Sequence, residues 1–168
     1  LKRFLNVSVR TPNAIVYGEL GRFPLYINLY IKCIKYWLRL IQMPEHRLPL
    51  KAYKMLFSVH EQNRNTWATS VCFLLYKYGF QEAWENQGVG NVNEFLKLLR
   101  NRLINDYREQ WSLQLFNSER FSLYRTFKST LVLSPYLDDL KHIQARVMSD
   151  TLTTWCFTAE YPQTTFQT

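Results

Sequence analysis

The sequence predicts an all-α protein, a single helical bundle of about six or seven helices over residues 1–148 followed by an irregular tail over residues 149–168. Three observations carry that expectation. Apolar residues recur every three or four positions through most of the chain, which is the period of one helix face. Thr, Asn, Ser or Pro stands just before these runs and Gly just after several of them, the asymmetry of helix starts and stops. The runs are joined by short polar links, with no internal repeat and no low-complexity linker, so one domain of mostly local contacts is expected. At 168 residues and 20.2 kDa the chain is long enough to bury a core, and 47% hydrophobic with 16% aromatic residues argues against disorder.

The opening LKRFLNVSVR is ambiguous. Leu5, Val7 and Val9 alternate as in a short strand, whereas Leu1, Phe4 and Leu5 fit one helical turn, and both alternatives stay open. Thr11 and Pro12 then start a short helix, because Thr can cap free N–H groups and Pro is tolerated at the first helical position. Ala14, Ile15, Tyr17 and Leu20 follow near helical spacing, and Gly21 can take the left-handed conformation that stops a helix. Pro24 restarts it. Apolar residues at 26, 27, 30, 31, 34, 37, 38 and 41 keep the helical period up to a stop before Pro44. Lys32, Lys35 and Arg39 fall together on another side of that helix.

Pro49 lies near the start of the next helix, with Leu50, Tyr53, Met55, Leu56, Phe57 and Val59 apolar and Lys51 and Lys54 exposed. Residues 61–65 are wholly polar and read as a loop; Thr66 caps TWATSVCFLLYKYGF, which Gly79 ends. QEAWENQ is a short amphipathic turn, and Gly88-Val89-Gly90 breaks the chain. Asn91 or Asn93 caps a long helix to about residue 116. Phe95, Leu98, Leu99, Leu103, Ile104, Tyr107, Trp111 and Leu115 lie on one side of it, and Arg100, Arg102 and Arg108 lie away from much of that stripe. Asn117 and Ser118 cap ERFSLYRTFK, with Phe121, Leu123, Tyr124 and Phe127 inward and Arg120, Arg125 and Lys128 outward. Pro135 interrupts LVLSPYL, and Asp138 or Asp139 caps a final helix, DLKHIQARVM. Beyond Met148 the chain is Thr-rich and aperiodic, with residues 151–158 the stretch most suited to an extended form.

Net charge is +8 and unevenly spread: residues 1–130 hold 19 Lys and Arg against 9 Asp and Glu, whereas residues 131–168 hold 2 against 4. The basic part invites an anionic partner, with nucleic acid ahead of a membrane surface; the plain alternative is a solvated face that keeps an apolar domain in solution. Lys32, Lys35, Arg39, Arg100, Arg102 and Arg108 are the residues suited to tracking a phosphate backbone. Tyr36, Tyr107 and Trp37 are interleaved with them, but their periodicity favours core positions over base stacking.

Catalytic centres find little support. The odd and widely spaced Cys33, Cys72 and Cys156 form no disulfide framework, so a reducing intracellular setting, nuclear or cytoplasmic, is expected. No signal peptide is apparent, no stretch reaches about 18 uninterrupted apolar residues, and no membrane partner is expected. The start at Leu1 rather than Met suggests a piece of a longer protein. His46, His60 and His142 lack Cys or carboxylate partners at metal-ligand spacing. Ser58 and His60 stand outside any G-x-S-x-G elbow, and Gly88-Val89-Gly90 lacks the third glycine and the strand of a dinucleotide loop. No catalytic residue, metal or cofactor is therefore assigned to this chain.

Tyr136-Leu137-Asp138-Asp139 is similar to the Tyr-X-Asp-Asp signature of reverse transcriptase palms, where paired aspartates hold two metal ions. Palm aspartates sit at a β-hairpin turn, whereas the residues after Asp139 have a helical pattern and the one upstream aspartate, Asp106, lies in another. The helix-cap reading is favoured.

The order of KRFLNVSVRTPNAIVYGELGRFPLYINLYIKCIKYWLRL, RLPLKAYKML, YGF, NQGVGNVNEFL and NSERFSLYRTFK resembles a region of invertebrate LINE-type (non-LTR) retrotransposon polyproteins, directly downstream of the reverse transcriptase palm. The likeness spans about residues 2–143. It implies a thumb-like, post-palm helical region of an RNA-directed DNA polymerase that helps grip an RNA or DNA duplex. The partner would be the upstream palm of the same polyprotein, which would hold the catalytic aspartates. Residues 144–168 depart from the family pattern, having no C-x-x-C where a Cys/His zinc segment commonly follows. The alternative of a different class is a helical protein–protein interaction module with no nucleic-acid role.

Overall fold

The chain is all-α, and no strand occurs among the described residues of this computed structural model, which are 1–3 and 7–139. Among the described residues eight α-helices and one 3-10 turn follow one another: α1 (Asn13–Leu20), α2 (Leu25–Ile41), α3 (Leu48–Glu61), α4 (Trp67–Lys77), α5 (Gln81–Glu85), α6 (Val92–Asn117), the turn Glu119–Phe121, α7 (Ser122–Phe127) and α8 (Pro135–Asp139). The tail expected at 149–168, the extended alternative at 151–158 and most of the helix expected from DLKHIQARVM lie outside the described residues, as does part of the opening strand-or-turn segment.

The helix boundaries follow local chemistry. Gly21 has φ +56°, the left-handed stop, and a Cβ there would run into the backbone of Val132 and Leu133. Thr66 and Thr69 form a reciprocal capping box at the start of α4, with Thr66 N–H donating to Thr69 Oγ1 at 3.0 Å and Thr69 N–H donating to Thr66 Oγ1 at 3.4 Å. Gly79, at φ +77°, follows the end of α4. Of the two possible caps on α6, Asn91 is used: its Oδ1 accepts from the N–H groups of Asn93 and Glu94 at 3.1 and 3.3 Å.

Three expectations need correction. Thr11 is buried one residue before the N-cap Pro12 and does not cap α1. Asp138 and Asp139 are the last described residues of a short helix begun by Pro135, so neither is its N-cap; Pro is well placed in a first turn. In the ERFSLYRTFK segment the helix shortens to a 3-10 turn plus six α residues, which rotates two side chains from their expected faces. Phe127 is 69% exposed, and Lys128 is buried with its ammonium donating to Val132 O and Ser134 Oγ, both at 2.7 Å.

The chain divides into two compact units, Pro24–Asn105 on one hand and Leu1–Phe23 with the chain from Asp106 on the other. Within Pro24–Asn105, α2, α3, α4 and α5 pack on one another, and Ile34, Trp37, Leu38, Val71, Leu75, Leu99 and Leu103 are almost wholly removed from water. In the other unit Ala14, Ile15, Trp111, Leu115, Phe121, Tyr124 and Leu131 make one apolar cluster, and Val7 and Val16 make a smaller one.

Candidate nucleic-acid interface

Helix α2 is held in one rotation by its buried face. Ile34, Trp37 and Leu38 are at most 1% exposed, and the Trp37 ring stacks on Trp84 with centroids 5.8 Å apart. A buried indole N–H needs an acceptor. Trp37 Nε1 donates to Tyr53 Oη at 2.8 Å, and the Tyr53 hydroxyl donates to Gln87 Oε1 at 2.6 Å. Gln87 itself is held at φ +44° and donates from Nε2 to Trp84 O at 2.7 Å. Burial pushes the Tyr53 hydroxyl pKa above its usual value, against the opposing hydrogen bonds of Trp37 and Gln87.

With that face fixed, Lys32, Lys35 and Arg39 are presented to solvent. They occupy a span of about 10 Å along the helix axis, close to three base-pair steps of about 3.4 Å. No carboxylate pairs with any of the three among the described residues, whereas Lys54 on α3 is engaged by Glu45 at 2.8 Å. That leaves the α2 line free to take phosphates.

The α6 arginines are arranged differently from one another. Arg100 and Arg102 are exposed but point about 200° apart around the helix, so they cannot track one strand together. Arg102 lies close to Gly79. Arg108 belongs to the other unit, where its guanidinium sits over the Phe23 ring at 5.6 Å from the centroid.

The interleaved aromatics separate into three cases. Trp37 is core. Tyr107 is half-buried, with its ring edge-on to both Tyr17 and Phe23 at 6.2 and 6.0 Å. Tyr36 is 51% exposed and edge-on to Trp67 at 5.9 Å, so periodicity misplaced it.

A groove between α2 and α4, of about 540 Å³, was not signalled by the sequence. Tyr30 and Cys33 line it from α2, and Ser70, Phe73 and Lys77 from α4. Phe73 sits within the apolar run VCFLLY, which conceals that its ring is 71% exposed. The readable signal is the i, i+3, i+7 spacing of Ser70, Phe73 and Lys77, on a different face of α4 from the buried Ala68, Val71 and Leu75, with the buried Leu74 at the edge between the two.

Other chemistry is accounted for by structure. His60 Nδ1 lies 3.0 Å from Thr69 Oγ1, its ring edge-on to Trp84 at 5.5 Å, and His46 is exposed. His142 and Cys156 lie outside the described residues, and Cys33 and Cys72 are free thiols whose pKa values burial raises. No group of three or more His, Cys, Asp or Glu that could hold a metal occurs among the described residues, and no helix there is long and apolar enough to cross a membrane.

The buried Glu19 carboxylate accepts from Tyr124 Oη at 2.8 Å and from Tyr136 Oη at 2.7 Å, and its backbone carbonyl accepts from Ser134 N–H at 2.9 Å. Tyr136 of the Tyr-X-Asp-Asp tetrad is thereby tied to a structural network. No family model matches the chain, and no curated protein or solved structure does either.

Proposed function

We propose that this chain is a nucleic-acid-gripping accessory region, of the post-palm, thumb-like kind found in LINE-type reverse transcriptases, acting without a catalytic centre of its own. The observation that carries the reading is the exposed, carboxylate-free line of Lys32, Lys35 and Arg39 on a helix whose opposite face is locked by Trp37. A helix already held in one rotation needs no backbone ordering on meeting a phosphate backbone, and each phosphate its cations neutralise releases counterions. The resemblance of residues 2–143 to the region downstream of a reverse transcriptase palm supplies the context, with the catalytic aspartates assigned to an upstream palm.

The test is binding of the purified chain to an RNA–DNA or DNA duplex at about 50 mM salt, where phosphate contacts are strong. Salt-dependent binding with weak sequence preference is expected; no binding at that salt contradicts the proposal. The second reading, a protein–protein interaction module, is favoured by exposed apolar side chains such as Leu48, Met55, Phe116 and Phe127, each at least 69% exposed. It predicts association that survives high salt and needs no nucleic acid.

A further inference from the structure

We infer that the groove between α2 and α4 takes a single unpaired nucleobase from a strand that extends beyond the duplex gripped by α2. The inference rests on the nucleic-acid reading above and adds a second ligand element to it, single-stranded extension as distinct from duplex backbone.

The groove has the parts such a ligand needs. Its volume of about 540 Å³ falls within the ~300–1,000 Å³ usual for small-ligand sites. Phe73, 71% exposed, and Tyr30, 38% exposed and tilted against Tyr26 at 5.4 Å, line it with aromatic rings on which a base can stack, a kind of contact indifferent to which base is present. Asn65 and Ser70, both exposed, supply an amide and a hydroxyl for base edges or sugar, the Ser70 Oγ keeping acceptor capacity beside the long 3.5 Å bond it donates to Thr66 O. Lys77 adds an ammonium one turn beyond Phe73, and no Asp or Glu is among the lining residues. An apolar peptide segment seated there would strip water from the amide, the hydroxyl and the ammonium without replacing their hydrogen bonds. A nucleotide, with a π face, polar edges and an anionic phosphate, leaves none of them unmatched.

The groove also lies beside the duplex-binding line. On α2, Cys33 of the groove wall and Lys32 of the cation line are about 100° apart, adjacent sectors of one helix surface. The exposed Leu29 and Tyr36 occupy the sector between them, so a strand leaving the cations crosses apolar surface on its way to Phe73.

The experiment compares three probes at about 50 mM salt: a blunt duplex, the same duplex with a short single-stranded tail, and the duplex with an abasic tail of equal phosphate count. The normal tail is expected to bind about tenfold more tightly than the abasic one. Phe73→Ala removes that difference and leaves blunt-duplex affinity unchanged, with circular dichroism matching wild type because the ring is 71% exposed. Alkylation of Cys33 slows with the normal tail and not with the abasic tail. Equal affinity for the two tails, a gain that survives Phe73→Ala, or an unchanged Cys33 rate overturns the inference while blunt-duplex binding leaves the proposed function standing. Failure of all three probes to bind overturns both.

Discussion

Around Trp37 the polar tips that meet are 16 and 34 residues apart in sequence, whereas around Glu19 they are 105 and 117 residues apart. The first unit buries a stack of aromatic rings whose few polar atoms form a short chain, Trp37 to Tyr53 to Gln87. The second buries a carboxylate and an ammonium, Glu19 and Lys128, among tyrosine, serine and backbone partners. Aromatic burial gains most of its free energy through area, with hydrogen bonds the smaller part. A buried polar network holds only when its members are satisfied, so the second centre is the more sensitive of the two to the loss of one acceptor.

Truncating the centre of each unit is the severest way to break this contrast. Trp37→Ala should cost about 3–5 kcal/mol by urea denaturation, through the lost ring and the cavity it leaves. A loss below about 1 kcal/mol would mean that α2 is not anchored there. Glu19→Ala should cost about 1.5–3 kcal/mol by the same measurement, because two tyrosine hydroxyls lose a charged acceptor; Glu19→Gln, which keeps an acceptor oxygen, should cost less. Equal losses for Ala and Gln would contradict the hydrogen-bond account.

Alkaline pH should push the two centres in opposite directions. Burial lowers the Lys128 pKa, against the opposing Glu19 charge, so between that lowered value and the usual 10.5 the unfolded chain binds more protons and stability rises with pH. Burial raises the Tyr53 pKa, so from about the usual 10.0 up to the raised value the folded chain holds more protons and stability falls. In urea denaturation across that range, Lys128→Met should remove the rise and Tyr53→Phe the fall. A pH profile unchanged by either substitution would refute the assignment. The smallest effect is Thr66→Ala, about 1 kcal/mol, seen as faster amide exchange in the first turn of α4 and not elsewhere.

The same contrast explains what could be read in advance. Helix α2, the Thr66 cap, the Gly21 and Gly79 stops and the burial of Trp37 are signalled by residue types and spacing within a turn or two along the chain, and the sequence reveals them. The periodicity puts Phe127 inward and Lys128 outward, the reverse of what is found, because the segment shifts from α to 3-10 winding, and it is silent on Glu19, whose partners are far along the chain. Periodicity located the Lys32, Lys35 and Arg39 line but grouped it with arginines on α6 that point apart, and it hid Phe73 inside an apolar run.

The central claim is that the α2 cation line carries the phosphate contacts. The direct measurement is the slope of log affinity against log salt for a blunt duplex, in wild type, in Lys32→Gln/Lys35→Gln/Arg39→Gln and in Arg100→Gln/Arg102→Gln. Neutralising the α2 line should reduce the slope by about 2.7, at about 0.9 per phosphate contact, and neutralising the α6 pair should reduce it by less than about 1. An unchanged slope in the α2 variant, with its helical circular dichroism intact, would contradict the account.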